Sequence, residues 1–144
     1  MVKTVSIMAD WKGGMRIDAE ARGHQVMIDQ PASGGGKDEG ANPMEFQLFA
    51  LAGCLGTIAA IIANQERIAL RGFTVSLEGD YDPAYLLGKT TEGRAGFTEI
   101  RAVVDIDADM TAEEKQAFFD KVDSRCPISD NLAEDTKIVF EVKN

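Results

Sequence analysis

The longest apolar stretch of the chain runs from residue 42 to residue 67 and predicts one long helix. Asn42 can cap its start, and Pro43 suits the first helical position, where the missing N–H costs nothing. Between residues 46 and 63 only two positions are polar, so apolar side chains cover every side of the helix. A helix that is apolar all round is buried, either in a protein core or in a membrane.

The length of this run is close to the minimum needed to span a bilayer. Ala and Gly supply much of it, and no basic cluster flanks either end, which favours a core helix over a membrane span. In so short a chain, a helix buried on all sides indicates that a partner subunit covers one side. Small residues recur at helical spacing, where another backbone can approach closely: Ala52, Gly56, Ala59, Ala60 and Ala63.

Two groups of strands are predicted, one before and one after the long helix in the sequence. Before it, apolar and polar residues alternate in three segments with short glycine-bearing turns, which predicts an antiparallel meander. These segments are residues 2–11, 15–21 and 24–28. After the helix, alternation predicts three further strands, over residues 73–79, 97–107 and 138–142. The glycine-rich, polar composition of residues 30–41 predicts a flexible connector. A phosphate-binding loop is disfavoured, because Gly34-Gly35-Gly36-Lys37 lacks the glycine spacing and the Ser or Thr of that motif.

A second helix is predicted to begin at Thr111, where Glu114 completes a capping box. Its apolar residues lie on one side, and Arg125-Cys126-Pro127 ends it. One or two further helical turns are expected over residues 129–134. The chain of 144 residues has no repeats and no interdomain linker, so this order of strands and helices predicts one α+β domain over residues 1–144.

The charge and the N-terminus narrow the function classes. A formal net charge of −9 argues against binding to nucleic acid or to an anionic membrane surface. The N-terminus lacks the apolar segment and cleavage site of a signal peptide, which predicts a cytoplasmic protein with reduced thiols. Two cysteines and one histidine, His24, do not make a zinc site, so no metal is expected.

The two cysteines have different predicted surroundings. Cys54 lies inside the long helix, where apolar neighbours disfavour a thiolate and the positive end of the helix dipole is too distant to help. Cys126 precedes Pro127 and lies beside Arg125, so it could stand at the N-cap of a short helix, where a thiolate is favoured. From the residues alone, Cys126 is the more activated thiol, and two unrelated buried cysteines are the alternative.

Both cysteines lie in motifs that resemble those of the OsmC/Ohr family of osmotically inducible and organic hydroperoxide resistance proteins. Gly40-Ala41-Asn42-Pro43-Met44-Glu45-Phe46 with Ala50-Leu51-Ala52-Gly53-Cys54 resembles the first motif. Arg125-Cys126-Pro127-Ile128-Ser129-Asp130-Asn131-Leu132 resembles the second. The resemblance implies an OsmC-like intertwined homodimer, in which antiparallel sheets flank long central helices and the cysteine sites form at the subunit interface.

The resemblance also implies a thiol-dependent peroxidase that reduces organic hydroperoxides. Cys54 would be the peroxidatic thiolate and Cys126 the resolving thiol, joined in a disulfide after Cys54 becomes a sulfenic acid. An external dithiol or lipoyl-type reductant would restore both thiols, and no bound cofactor is expected.

In the family an arginine supports the first thiolate and a glutamate holds that arginine. Arg16, on an early predicted strand, is the candidate arginine, and Glu45 is the candidate carboxylate. The glutamate of active members directly follows the Asn-Pro pair, where this chain has Met44. Glu45 is one position later, about 100° around the helix. This departure keeps open an alternative: a noncatalytic dimeric protein that binds a small molecule or senses redox state.

Overall fold

The computed structural model describes residues 1–144 in two compact units, Met1–Gln47 and Leu48–Asn144. The first unit contains an antiparallel sheet of three strands in chain order, β1 (Met8–Trp11), β2 (Ile17–Ala21) and β3 (His24–Ile28). The turns between them contain glycines with positive φ, a conformation that glycine adopts without steric cost. The predicted meander is confirmed, and β3 has its predicted bounds.

Two predicted strand segments have no partner strand within the chain. The first strand starts only at Met8, so residues 2–7 are unpaired, and the strand predicted over residues 138–142 is wrong. A strand forms only where a neighbouring strand accepts and donates its backbone hydrogen bonds. The apolar side chains of both segments are largely exposed: Val2 96 %, Val5 95 %, Ile138 71 % and Phe140 86 %.

Helix α1 (Pro43–Gln65) begins in the first unit and continues in the second. The second unit also contains β4 (Gly72–Asp80), α2 (Pro83–Leu86), β5 (Glu99–Asp107), α3 (Ala112–Arg125) and α4 (Pro127–Ala133). β4 and β5 form a two-stranded antiparallel sheet. Antiparallel sheets combined with helices in this order confirm the predicted α+β class.

Capping boxes fix the starts of the two long helices. At the start of α1, the Asn42 N–H donates to Glu45 Oε1 at 2.9 Å, and the Glu45 N–H donates to Asn42 Oδ1 at 2.8 Å. At the start of α3, the predicted box of Thr111 and Glu114 is confirmed, with both hydrogen bonds at 3.1 Å. Each box satisfies two backbone donors that a helix start otherwise leaves unpaired.

Only one face of α1 is buried within the chain. That face consists of Leu51, Leu55, Ala59, Ile62 and Ala63. It packs in the core with Ile106, Ala108, Phe118, Val122 and Cys126. The single chain does not bury the helix on every side, since Ile61 on another face is 44 % exposed. That a partner subunit covers this side stays a prediction. The small residues are divided between faces, because Ala59 and Ala63 are buried while Ala60 is exposed.

By length and composition α1 could cross a bilayer, and 28 % of its most apolar 18-residue window is buried. The core helix of a soluble protein has the same length and composition. These properties are therefore weak grounds for a membrane span.

Candidate active site

The two cysteines of the second unit share one core: Cys54 packs against the buried cluster that contains Cys126. Cys54 is near the middle of α1, and Cys126 joins α3 to α4. Both thiols are free, and Cys54 lies close enough to Cys126 to raise the pKa of that thiol. Cys54 is half-buried, whereas Cys126 is 2 % exposed. The site therefore pairs one thiol that a solute can reach with one that the core shields.

Packing between α1 and α3 explains how residues so distant in the chain meet. Ile62 on α1 and Val122 on α3 are fully buried in the same core cluster. At the end of α1, Gln65 Oε1 accepts a hydrogen bond from Arg125 Nη1 at 3.0 Å. The guanidinium of Arg125 is thus engaged with Gln65, and Arg125 is not among the groups that shift the pKa of Cys126.

Cys126 is the N-cap of α4, as predicted, and its sulfur accepts a hydrogen bond from the Ser129 N–H at 3.4 Å. Burial is the main cause that raises the pKa of the Cys126 thiol, and the nearby Cys54 side chain raises it further. The backbone N–H groups of Ser129 and Ile128 act in the opposite direction. The prediction that Cys126 is the more activated thiol is therefore wrong, because burial outweighs the cap.

This contrast predicts an order of chemical labelling. At pH 7 we expect iodoacetamide to alkylate Cys54 about tenfold faster than Cys126 or more, because the thiolate is the reacting form and Cys126 is shielded and protonated. Timed quenching followed by peptide mass spectrometry measures both rates. Equal alkylation rates of the two cysteines at pH 7 would contradict this difference in accessibility and ionisation.

The raised pKa of Cys126 also fixes the direction of a pH effect. The native thiol keeps its proton above its ordinary pKa of 9.0, where the unfolded chain releases it. The free energy of unfolding should therefore fall as the pH rises above that value, while Cys126 labelling accelerates.

Arg16, the predicted cation, lies in the first unit immediately before β2 and is held by two carboxylates. Its Nε donates to Asp18 Oδ1 at 2.8 Å and its Nη2 donates to Asp18 Oδ2 at 3.3 Å. Its Nη1 donates to Glu39 Oε2 at 2.8 Å. Asp18 first, and Glu39 with it, raise the pKa of the Arg16 guanidinium, so this side chain stays charged.

Glu45, the predicted partner of Arg16, instead accepts the Asn42 N–H in the capping box of α1. Sequence reasoning missed Asp18 and Glu39. The signal for Asp18 was present, since residues i and i+2 of a strand lie on the same side. No local pattern indicated Glu39, which lies in the segment expected to be a flexible connector. The functional roles of Arg16 and Glu45 stay predictions.

That segment is a folded loop. A 3₁₀ turn spans Ala32–Gly34, and the N–H of Asp38 donates to the carbonyl of Gln30 at 3.0 Å. The expectation of a flexible connector is wrong because Asp29, which is 2 % exposed, accepts hydrogen bonds from loop N–H groups. The loop thereby gives Glu39 a defined position beside Arg16.

Comparisons with known proteins agree with this fold. A curated hydroperoxide reductase from Mycoplasma genitalium is 28 % identical over 133 residues, which cover 92 % of this chain and 89 % of that protein. The crystal structure of an OsmC-like protein from Mycoplasma pneumoniae has a TM-score of 0.79 at 24 % identity, covering 92 % of this chain and 89 % of the other. An organic hydroperoxide resistance protein OsmC from Legionella pneumophila has a TM-score of 0.69 at 19 % identity, covering 92 % and 90 %.

The sequence profile of one family, described as OsmC-like protein, matches residues 35–141. That match includes both cysteine motifs and most of the chain. The resemblance seen in the sequence is confirmed: the chain belongs to the family of OsmC-like proteins.

Proposed function

We propose that this protein is a thiol-dependent peroxidase that reduces organic hydroperoxides through a cycle of Cys54 and Cys126. Membership of the OsmC-like family and the name of the Mycoplasma genitalium relative support peroxidase-like chemistry. The observation that carries the proposal is the placement of both free thiols in one core, where Cys54 packs against the buried cluster that contains Cys126.

The first step assigns the attack to the more accessible sulfur. The Cys54 thiolate, whose proton has passed to water, attacks the terminal oxygen of the hydroperoxide, and the O–O bond breaks. The departing alkoxide takes a proton from water and leaves as the alcohol. Cys54 is oxidised to a sulfenic acid. Cys126 is unsuited to this role, because it is 2 % exposed and its pKa is raised.

The second step uses the shielded sulfur. The Cys126 sulfur attacks the Cys54 sulfenic sulfur, the S–O bond breaks, and the S–S bond forms. The proton that Cys126 has retained leaves with the hydroxide as water. A resolving thiol that stays protonated until a sulfenic acid lies beside it does not compete for substrate.

The third step needs an external reductant. A dithiol, such as a lipoyl-type compound, attacks the disulfide to give a mixed disulfide, and its second thiol then displaces the protein thiol. Over one cycle the hydroperoxide becomes an alcohol and water, the dithiol becomes a disulfide, and both protein thiols are restored. The protein supplies no further cofactor in this proposal.

The active form in this proposal is a cytoplasmic homodimer. Members of this family are soluble proteins, and soluble proteins rarely leave extended apolar surface uncovered. This chain leaves two apolar terminal segments unpaired, residues 2–7 and 138–142, and one face of α1 exposed at Ile61. A second copy of the chain would cover such surfaces and supply missing strand neighbours.

The experiment that tests the function is a turnover assay on the purified protein. With dihydrolipoamide or dithiothreitol present, we expect cumene hydroperoxide to be consumed faster than hydrogen peroxide, and a monothiol to support turnover poorly. Consumption no faster than that of the reductant alone would contradict the proposal.

In this account Arg16 supports the Cys54 thiolate. Arg16→Ala should then slow alkylation of Cys54 at pH 7 by about tenfold, because a supporting cation favours the thiolate, which is the form that reacts. Peptide mass spectrometry after timed alkylation measures the rate. Arg101→Ala is the matched control, since Arg101 is also held by carboxylates, those of Asp80 and Glu99. Equal rates in Arg16→Ala and the unmodified protein would remove Arg16 from the site.

A further inference from the structure

Asp29 is a buried carboxylate that the proposed reaction does not use. It lies directly after β3 and is 2 % exposed. Its Oδ1 accepts the Gln30 N–H at 2.8 Å, and its Oδ2 accepts the N–H groups of Lys37 at 3.2 Å and Glu39 at 3.1 Å. These backbone donors lower the pKa of Asp29, so the group is ionised throughout the neutral range.

The hydrogen bonds of Asp29 close a loop. The carboxylate joins the start of the segment to residues 37 and 39, and the Asp29 N–H donates to the carbonyl of Ala41 at 3.2 Å. Asp29 therefore fastens the loop at residues 37, 39 and 41 through its Oδ2 and its backbone N–H, while its Oδ1 accepts the N–H of Gln30 at the start of the loop.

Two glycines allow the tight path of this loop. A Cβ at Gly36 would collide with the carbonyl oxygen of Gln30 and with Asp29 Oδ1, and a Cβ at Gly40 would collide with the carbonyl oxygen of Met27. The backbone on either side of Glu39 is thus held against fixed neighbours. Glu39 has little freedom to move its main chain.

Glu39 connects this loop to the arginine. Its N–H donates to Asp29, and its carboxylate accepts from Arg16 Nη1 at 2.8 Å. Asp18 engages the Nε and Nη2 of the same guanidinium. Two carboxylates on different sides of a planar guanidinium fix its orientation more firmly than one.

We propose that Asp29 is a positioning residue: it holds Glu39 so that the Glu39 carboxylate orients the guanidinium of Arg16. Asp29 acts on Arg16 through Glu39, by fixing the backbone from which the carboxylate extends. The consequence for catalysis rests on the proposed function, in which Arg16 supports the Cys54 thiolate.

The test reads the Arg16 guanidinium directly, by the Nε–Hε resonance in ¹⁵N–¹H NMR spectra. Asp29→Asn preserves size, but an amide can offer its oxygen to only one of the two sets of backbone donors that Asp29 accepts. We expect Asp29→Asn to move the Arg16 resonance in the same direction as Glu39→Gln. In the double variant no further movement is expected, because both changes break one chain of contacts.

Asp18→Asn is the matched control, because Asp18 contacts Arg16 without the loop. Asp29→Asn added to Asp18→Asn should still move the Arg16 resonance. An Arg16 resonance that Asp29→Asn leaves unmoved, or that Glu39→Gln leaves unmoved, overturns the proposal.

A second variant keeps the proposal testable should Asp29→Asn fail to fold. Because Asp29 fastens the loop without help from Arg16, the amide hydrogens of Lys37 and Glu39 should keep their protection from exchange in Arg16→Ala. Loss of that protection would show that Arg16 holds the loop in place. That result would contradict the proposal that the loop, fastened by Asp29, positions Arg16. Neither readout depends on peroxide turnover, so failure of the proposed reaction would be seen separately in the turnover assay.

Discussion

A Cys54→Ser variant is expected to lose hydroperoxide turnover by about a hundredfold or more, because a serine hydroxyl is not ionised at neutral pH and cannot replace a thiolate nucleophile. The substitution is nearly isosteric, and Cys54 is half-buried, so we expect the fold to persist. The initial rate of cumene hydroperoxide consumption in the presence of a dithiol measures the effect.

Cys126→Ser is the matched control, since it removes the other thiol of the proposed Cys54–Cys126 pair. With no external thiol present, this variant should consume about one equivalent of hydroperoxide and stop at a Cys54 sulfenic acid that dimedone traps. Undiminished turnover in Cys54→Ser would contradict the assignment of Cys54 as the nucleophile. Retained small-molecule binding in Cys54→Ser, with no turnover in either protein, would favour the noncatalytic alternative.

Gly56→Leu is expected to convert the proposed dimer into monomers. The structure of the single chain lets the change in stability report whether a second copy lies at this position. A Cβ at Gly56 would meet no atom within 4 Å in the single chain. Replacing a glycine inside a helix then stabilises the isolated chain by about 0.5–1 kcal/mol. If a second copy lies against this position, the added side chain overfills the contact at a cost of about 1–3 kcal/mol per site.

Sedimentation equilibrium together with urea unfolding at two protein concentrations separates these outcomes. The account predicts a dissociated variant with lower stability at the concentration where the unmodified protein is dimeric. Gly56→Ala is the graded control, because a single methyl group should have a much smaller effect. A Leu variant that is more stable and equally dimeric would place the interface elsewhere.

Local patterns predicted the elements that depend on local interactions. The long helix at Pro43–Gln65, the capping box of Thr111 and Glu114, and the short helix capped by Cys126 all follow from signals within a few residues. β3 was predicted with its observed bounds for the same reason.

The predictions that failed depended on groups distant in the chain or absent from it. Residues 138–142 have the alternation of a strand, but no neighbouring strand lies in the same chain. Cys126 has the local surroundings of an activated thiol, yet the core shields it, and this desolvation decides the direction of its pKa shift.

The hydrogen-bond partners of Arg16 also show how far local sequence patterns can predict contacts. Asp18 follows from strand periodicity, whereas Glu39 meets Arg16 only because Asp29 folds the intervening loop. Glycine-rich composition suggested a flexible connector, and a buried carboxylate with three backbone donors overrides that composition. A local sequence pattern cannot show such a long-range hydrogen-bonded network.

We propose that Cys54 and Cys126 of one chain form a redox pair, and one titration tests this directly. Reduced protein should be titrated with cumene hydroperoxide without added thiol, and the remaining thiols counted after denaturation. The account predicts the loss of two thiols per chain and a Cys54–Cys126 disulfide, with a single-chain mass on a nonreducing gel. An unchanged thiol count in excess hydroperoxide, or a disulfide that joins two chains, would contradict it.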